Sequence, residues 1–288
     1  MTAAGEDPVL VGVDGSEEAR RAVRWAAREA VLLGTGLRVV HAWMWPLYGV
    51  PLGPAPGSPA EGGLEAQARA VLARCVAVAH EVAPHLSVEA ELAVGAAEAR
   101  LLDHAGAAAL VVVGNRGLGG FTGLLVGSVG IALSAHAPCP VVVVRGRPDA
   151  DGPVVVGVDA AHPDPVALGT AFDEARRRAV PLTVVHAFSL PLGAGSVTDA
   201  QHLLQHGERV ARALLDSVVL PVADRYPTVA TTTVVGGRSA AAELVDASQR
   251  GQLVVVGSRG AGALRGALLG STAHALVHHA GCPVLVAR

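Results

Sequence analysis

The chain repeats itself at long range, and this limits its architecture more than any other feature. Val11-Gly12-Val13-Asp14 returns as Val156-Gly157-Val158-Asp159, and Val39-Val40-His41-Ala42 returns as Val184-Val185-His186-Ala187, both 145 residues on. Val111-Val112-Val113-Gly114 returns as Val254-Val255-Val256-Gly257, and Cys139-Pro140-Val141 as Cys282-Pro283-Val284, both 143 residues on. The order is kept and the offset drifts by only two residues. Solenoid units run to roughly 20–50 residues, so this period marks a duplicated domain instead. Arg145–Pro153, polar and rich in Pro and Gly, reads as the joint. The expected domains are 1–146 and 153–288, with a linker at 147–152.

Within each copy, short β-branched runs alternate with longer Ala-rich runs. In the first, Val9–Val13, Leu37–His41, Val88–Val94, Leu110–Val113 and Val141–Val144 read as strands. Most are nearly continuous in apolar residues, as strands buried on both faces are. Glu17–Leu33, Leu64–Val82, Ala96–Ala105 and Ser128–Ala137 read as helices. Ser16 is suited to cap the first of them, with Glu17 and Glu18 in its opening turn. Five strands with intervening helices predict an α/β fold: in each copy a doubly wound parallel sheet with helices on both faces. The second copy repeats the pattern from Val154–Val158 to Val284–Ala287.

The glycine-rich loops carry the chemistry. After the fourth strand comes Gly114-Asn115-Arg116-Gly117-Leu118-Gly119-Gly120, then Gly127-Ser128. The second copy has Gly257-Ser258-Arg259-Gly260-Ala261-Gly262, then Gly270-Ser271-Thr272. Both fit G-x-x-G, nine residues, G-S. Glycine permits positive φ and lets backbone N–H groups approach a ligand closely. Runs of such N–H groups make anion-binding nests, and the closing Gly-Ser opens a helix whose N-terminus favours phosphate. Arg116 and Arg259 have the reach to meet a phosphate or to stand in solvent. Two loops that merely turn tightly are the alternative, and the full spacing occurring twice argues against it.

Composition removes other chemistries. All 22 cations are arginine, so a Walker lysine, a pyridoxal phosphate Schiff base and a lysine general base are excluded. G-x-G-x-x-G would need glycine at Thr122 or Arg265 and fails in both copies. Residues 1–150 hold 11 Arg against 14 acids and residues 151–288 hold 11 against 11, so neither half is a basic nucleic-acid surface. The 51% hydrophobic and 16% charged content is that of a folded globular chain. No apolar run reaches the ~20 residues of a transmembrane helix. The opening MTAAGEDP lacks a signal peptide's basic and apolar regions. Three cysteines with no CxxC fit a reducing compartment. The expectation is a cytoplasmic protein that engages neither membrane nor nucleic acid.

These residues resemble a known family. The start Gly12–Ser16 (GVDGS), the Val-His pair after the second strand, the glycine spacing and the terminal Cys-Pro-Val strand are similar to the universal stress proteins, in their tandem, ATP-binding, actinobacterial form. The resemblance covers essentially the whole chain. It implies sheet order 3-2-1-4-5, whose switch point between strands 1 and 4 is where open α/β sheets bind ligands. It implies that Gly12, Val13, Asp14, Val40, His41 and Ala42 contact adenine and ribose, beside Ser16. Gly114, Arg116, Gly117 and Gly119 would wrap the phosphates, closed by Gly127, Ser128 and Val129. In the second copy the matching positions are Gly157, Val158, Asp159, Val185, His186, Ala187, Gly257, Arg259, Gly260, Gly262, Gly270, Ser271 and Thr272. The second copy departs at Asp159-Ala160-Ala161-His162, where the Ser16 hydroxyl has no counterpart and Pro163 and Pro165 alter the start of the helix. The expected ligand is ATP with Mg²⁺; Asp14 and Asp159 are candidates to ligate the metal or a ribose hydroxyl, the plainer alternative being strand-end carboxylates that cap the next helix.

Other features have plainer readings. His41 and His186 suit packing at a strand end better than catalysis. His274, His278, His279 and Cys282 are metal-capable, but the first copy has Ile131, Ala135, His136 and Cys139 there, and no carboxylate lies nearby in sequence. Trp43, Met44, Trp45 and Tyr48 lead into Pro46–Gly63, whose five prolines and five glycines make a surface loop or a lid. The terminal strands Val141–Val144 and Val284–Ala287 fall at sheet edges and invite pairing within the chain, and the resemblance adds a homodimer. Three functions remain open: a nucleotide-binding sensor or regulator, which the residues favour, a slow ATPase, and a nucleotide-independent scaffold.

Overall fold

The computed structural model describes residues 7–43, 63–117, 127–188, 197–258 and 269–288. It divides into two compact units, Met1–Val144 and Arg145–Arg288. In the first, β1 (Val9–Val13), α1 (Glu17–Leu33), β2 (Leu37–Trp43), α2 (Leu64–Val82) and β3 (Val88–Val94) are followed by α3 (Ala97–Ala105), β4 (Leu110–Gly114), α4 (Ser128–His136) and β5 (Val141–Val144). The second runs β6 (Val154–Gly157), α5 (Pro165–Arg178), β7 (Leu182–Ala187), α6 (Val197–Ala223), β8 (Thr231–Gly236), α7 (Ala240–Ser248), β9 (Leu253–Gly257), α8 (Ser271–His279) and β10 (Val284–Ala287).

Each unit is the expected α/β domain. The first sheet is ordered β3-β2-β1-β4-β5 and the second β8-β7-β6-β9-β10. Every pair within a unit is parallel, with β1 beside both β2 and β4, and β6 beside both β7 and β9. Central strands are valine-rich because both their faces are covered: Val9, Val11, Val111 and Val112 are fully buried. In the first unit α1 lies across β1 and β4 and against α2, and α3 lies against α4. The buried residues of α1 are mostly small, Ala19, Ala22, Ala26, Ala27 and Ala30 around Val23, with Trp25 and Glu29 buried beside them.

Arg145–Pro153 is tied to the second unit and does not hang free. The Arg147 N–H donates to the Gly281 carbonyl at 2.9 Å, and Arg145 Nη1 donates to the Val277 carbonyl at 2.6 Å. Gly146, at φ +58, packs against the Gly281 peptide so closely that no Cβ fits.

Several element bounds differ by one or two residues from the sequence reading: β2 runs on to Trp43, β4 to Gly114, α3 begins at Ala97, α4 ends at His136 and β6 stops at Gly157. α5 begins at Pro165, later than the repeat of α1 would place it, in line with the altered helix start that Pro163 and Pro165 imply. Asp164 explains the shift. Its Oδ1 accepts from the N–H of Val166 at 2.9 Å and of Ala167 at 3.1 Å, with proline at the first helical position. The cap lost with Ser16 is therefore re-made by a different side chain a few residues downstream.

Candidate functional site

The C-terminal ends of β1 and β4 define the first unit's switch point. Asp14 follows β1 directly. Its Oδ1 accepts from the Ser16 N–H at 3.0 Å and from the Ser16 hydroxyl at 2.6 Å. The Ser16 Oγ in turn accepts from the Ala19 N–H at 3.1 Å, capping α1. The tight turn is made by Gly15 at φ +90, a conformation side chains avoid. His41 stands beside it with Nδ1 2.7 Å from the Val13 carbonyl, pinning the end of β2 to the end of β1.

The β4 loop comes close to that turn, and glycine is what lets it. A Cβ on Gly114 would stand 2.9 Å from the Glu18 carbonyl carbon and oxygen, and one on Gly117 would stand 2.4 Å from Asp14 Oδ2. A Cβ on Gly12 would meet Leu101 Cδ1 at 2.6 Å. The far end of the loop returns to the same place: the Gly127 N–H donates to the Asn115 carbonyl at 2.8 Å, and the Asn115 N–H to the Val144 carbonyl at 3.1 Å. Gly127 is the N-cap of α4 with no side-chain cap, so the first-turn N–H groups carry no competing side-chain acceptor. One expectation is corrected. Among the described loop glycines, Gly114, Gly117 and Gly127, none takes positive φ, and the value of Gly114 and Gly117 lies in close packing.

These elements enclose a cavity of about 370 Å³. Of the residues singled out in the sequence, it is lined by Gly12, Val13, Asp14, Val40, Ala42, Gly114, Arg116, Gly117, Gly127, Ser128 and Val129. Ser16, His41 and Asn115 support the walls through the bonds above and do not line it. Leu118, Gly119 and Gly120 lie outside the described residues, as does Met44–Gly62 of the Pro/Gly-rich loop. Sequence reasoning missed Ala19, Ala97, Leu101, Val113 and Gly130. Leu101 was findable only in retrospect, since it fills the space left by the missing side chain of Gly12.

The second unit repeats the frame. His186 Nδ1 is 2.9 Å from the Val158 carbonyl, Gly270 N–H donates to the Ser258 carbonyl at 2.9 Å, and a Cβ on Gly157 would meet Leu244 Cδ1 at 2.6 Å. Gly270 caps α8 in the same extended conformation as Gly127, again with no side-chain cap. The turn after β6 differs: Asp159 Oδ1 accepts from the Ala161 N–H at 3.1 Å, and His162 Nδ1 lies 3.5 Å from Asp159 Oδ2. Val185 lies within β7 as Val40 lies within β2, Ala187 and Gly257 end their strands, and Ser271 and Thr272 open α8. Arg259, Gly260, Ala261 and Gly262 lie outside the described residues.

Among the described residues, no group of three or more His, Cys, Asp and Glu is placed to hold a metal ion. None of the three cysteines is in a disulfide and all are buried, and burial pushes the Cys282 thiol up to about 12. No described helix is long and apolar enough to cross a membrane.

Two doubly wound domains in one chain, each bringing a glycine-framed loop and an uncapped helix N-terminus to the same sheet switch point, define the class. The universal stress protein family model matches residues 6–145 and again 152–288, and the chain belongs to that family. It is 36% identical over 298 residues to a universal stress protein of Mycolicibacterium smegmatis, covering 100% of this chain and 99% of that one. A Mycobacterium tuberculosis universal stress protein is 36% identical over 301 residues, covering 97% and 96%. Among solved structures, a universal stress protein from Archaeoglobus fulgidus superposes with TM-score 0.58 at 16% identity over 98% of both chains. A functionally unknown protein from Pseudomonas aeruginosa gives TM-score 0.65 at 16% identity over 98% of this chain and 92% of that one. These two likenesses are of fold.

Proposed function

We propose that the chain binds ATP, carried with Mg²⁺, in the first-unit cleft and in its second-unit counterpart, and that occupancy is its output as a stress-linked sensor or regulator. The observation that carries this is the first-unit cavity, which has the size of a small-molecule site. Its lining offers both kinds of surface that a nucleotide needs. Val13, Val40, Ala42, Leu101 and Val113 offer an apolar slot for a base. Asp14, Arg116, Gly117 and Ser128 gather polar groups, with the α4 N-terminus aimed at negative charge. Asp14 is the one carboxylate among the described lining residues, so it would stand nearest the metal, with Asp159 in that place in the second unit. The metal would neutralise triphosphate charge that one arginine leaves unbalanced.

Binding without rapid turnover is part of the proposal. Asp14 Oδ1 is engaged by two bonds from Ser16, which suits a fixed frame better than a base that must take up a proton. A cytoplasmic, homodimeric protein without membrane or nucleic-acid partners completes it, in keeping with the near-balanced charge. Native mass spectrometry of gently purified protein tests the reading. Mass additions of ATP or ADP support it. A nucleotide-free protein that also takes up no added Mg-ATP overturns it.

A further inference from the structure

The C-terminal half of α8 concentrates positive or protonatable groups in a way its counterpart α4 does not. His274 and His278 lie one turn apart with ring centroids 4.5 Å from each other, and His279 follows at 6.0 Å from His278. Arg145 seats its guanidinium on the last turn of the same helix, donating to the Val277 carbonyl at 2.6 Å and reaching the Leu276 carbonyl at 3.3 Å. A helix C-terminus ordinarily welcomes a protonated histidine, but here those carbonyls already serve a permanent cation. The Nε2 of His278 is buried without a hydrogen-bond partner. A neutral ring tolerates that, because a bare lone pair goes unused. A protonated ring has two N–H donors, and one would point into a site with no acceptor.

The neighbouring elements bring no compensating charge. α8 packs on α7 and β10. From α7 the acids are Glu243 and Asp246, both held by Arg238, at 3.0 Å to Glu243 Oε2 and 2.5 Å to Asp246 Oδ2. β10 (Val284–Ala287) has no ionisable residue. The segment before β6 adds Arg145 and Arg147, the latter donating its Nη2 to the Gln249 carbonyl. Burial first, then His274, His279 and Arg145, hold His278 below the usual histidine range.

We infer that the second unit carries an acid-sensitive element, in which protonation of His278, packed beside His274 and against Arg145, loosens α8 while its first-unit counterpart α4 is left unaffected. The direction follows from linkage. In the unfolded chain His278 takes its proton near pH 6.5, before the folded chain does. The stabilisation is therefore complete above that pH and lost as pH falls from there toward the lower folded value. Each pH unit of depression corresponds to roughly a tenfold change in the opening equilibrium. The first unit is an internal control, since Ile131 and Ala135 stand where His274 and His278 do. Because α8 begins at Gly270-Ser271, the same loosening would reach the second candidate nucleotide site, a consequence that rests on the proposed function.

Hydrogen exchange with mass spectrometry on the full-length protein tests this without nucleotide. Protection of peptides from Ser271–His279 and Ser128–His136, corrected for intrinsic exchange, is compared at pH 7.5 and pH 5.5. The expected result is a loss of protection in α8 of up to about tenfold, the ceiling for one histidine over this pH range, with little change in α4. His278→Ala, and separately His274→Ile, should reduce that loss, the second while leaving His278 in place. Equal pH responses of α8 and α4, or an α8 response unchanged in both variants, would overturn the inference. Failure of ATP binding would leave this result untouched, so the two proposals can fail independently.

Discussion

Gly117→Ala is the sharpest perturbation of the first cleft. A Cβ there would stand 2.4 Å from Asp14 Oδ2, at least half an ångström inside any tolerable contact. Either the loop withdraws or the Asp14 carboxylate turns. Turning it strains the bonds from the Ser16 N–H and hydroxyl, at 3.0 and 2.6 Å, which also set the N-cap of α1. Losing one hydrogen bond to a charged group costs about 1.5–3 kcal/mol. Withdrawing the loop instead moves its N–H groups off the anion position, at a comparable cost. Either route predicts an ATP dissociation constant roughly ten- to hundredfold weaker, since every 1.4 kcal/mol is about tenfold. Calorimetric titration of nucleotide-stripped protein reads the affinity, and circular dichroism checks that the fold is kept. An unchanged affinity in a folded variant would refute the idea that Gly117 and Asp14 together shape the ligand site. Gly260→Ala should act in the same way on the second site.

Other outcomes follow from the same contacts. Ser16→Ala in the first unit and Asp164→Ala in the second should each cost about 1 kcal/mol in denaturant unfolding, because each removes a helix cap. Ala179 ends α5 at φ +53, where its counterpart Gly34 ends α1 at φ +71, so Ala179→Gly should stabilise the second unit by roughly 0.5–1 kcal/mol; a loss of stability would show that the strain is not felt. Cys75, Cys139 and Cys282 should resist thiol reagents at pH 8 until the protein unfolds, and rapid labelling of the native chain would contradict their burial. Proline at Val143 or Val286 should lower stability or disrupt association if the terminal strands pair, and light scattering that finds a single-chain mass across micromolar concentrations would reject the homodimer.

The fold was open to reading because its strongest signals are local and occur twice. β3, β5, α1 and α2 fall on the residues that hydrophobic patterning marks, and Ser16 caps α1 through the Ala19 N–H as its position suggests. Pro163 and Pro165 marked the altered start of α5 in the sequence, while its cap, Asp164, went unread. An aspartate before a proline is itself a helix-start signal, and Asp164-Pro165 overrode the inherited register. The site was legible at its glycines and strand ends, where one residue type is required. The reason for those glycines was not legible: packing against Glu18 and Asp14, set by tertiary structure, replaces the positive φ that local reasoning favours. Ala97, Leu101 and Gly130 reach the cavity from α3 and α4 through helix docking, which leaves no mark in the sequence.

Whether the duplicated switch-point clefts bind ATP is read by isothermal titration of Mg-ATP into nucleotide-stripped full-length protein. Saturable binding that approaches two ATP per chain is expected, with the first unit the tighter because its Asp14–Ser16 turn is intact. A reproducible stoichiometry of zero, with the fold verified in the same sample, would contradict it.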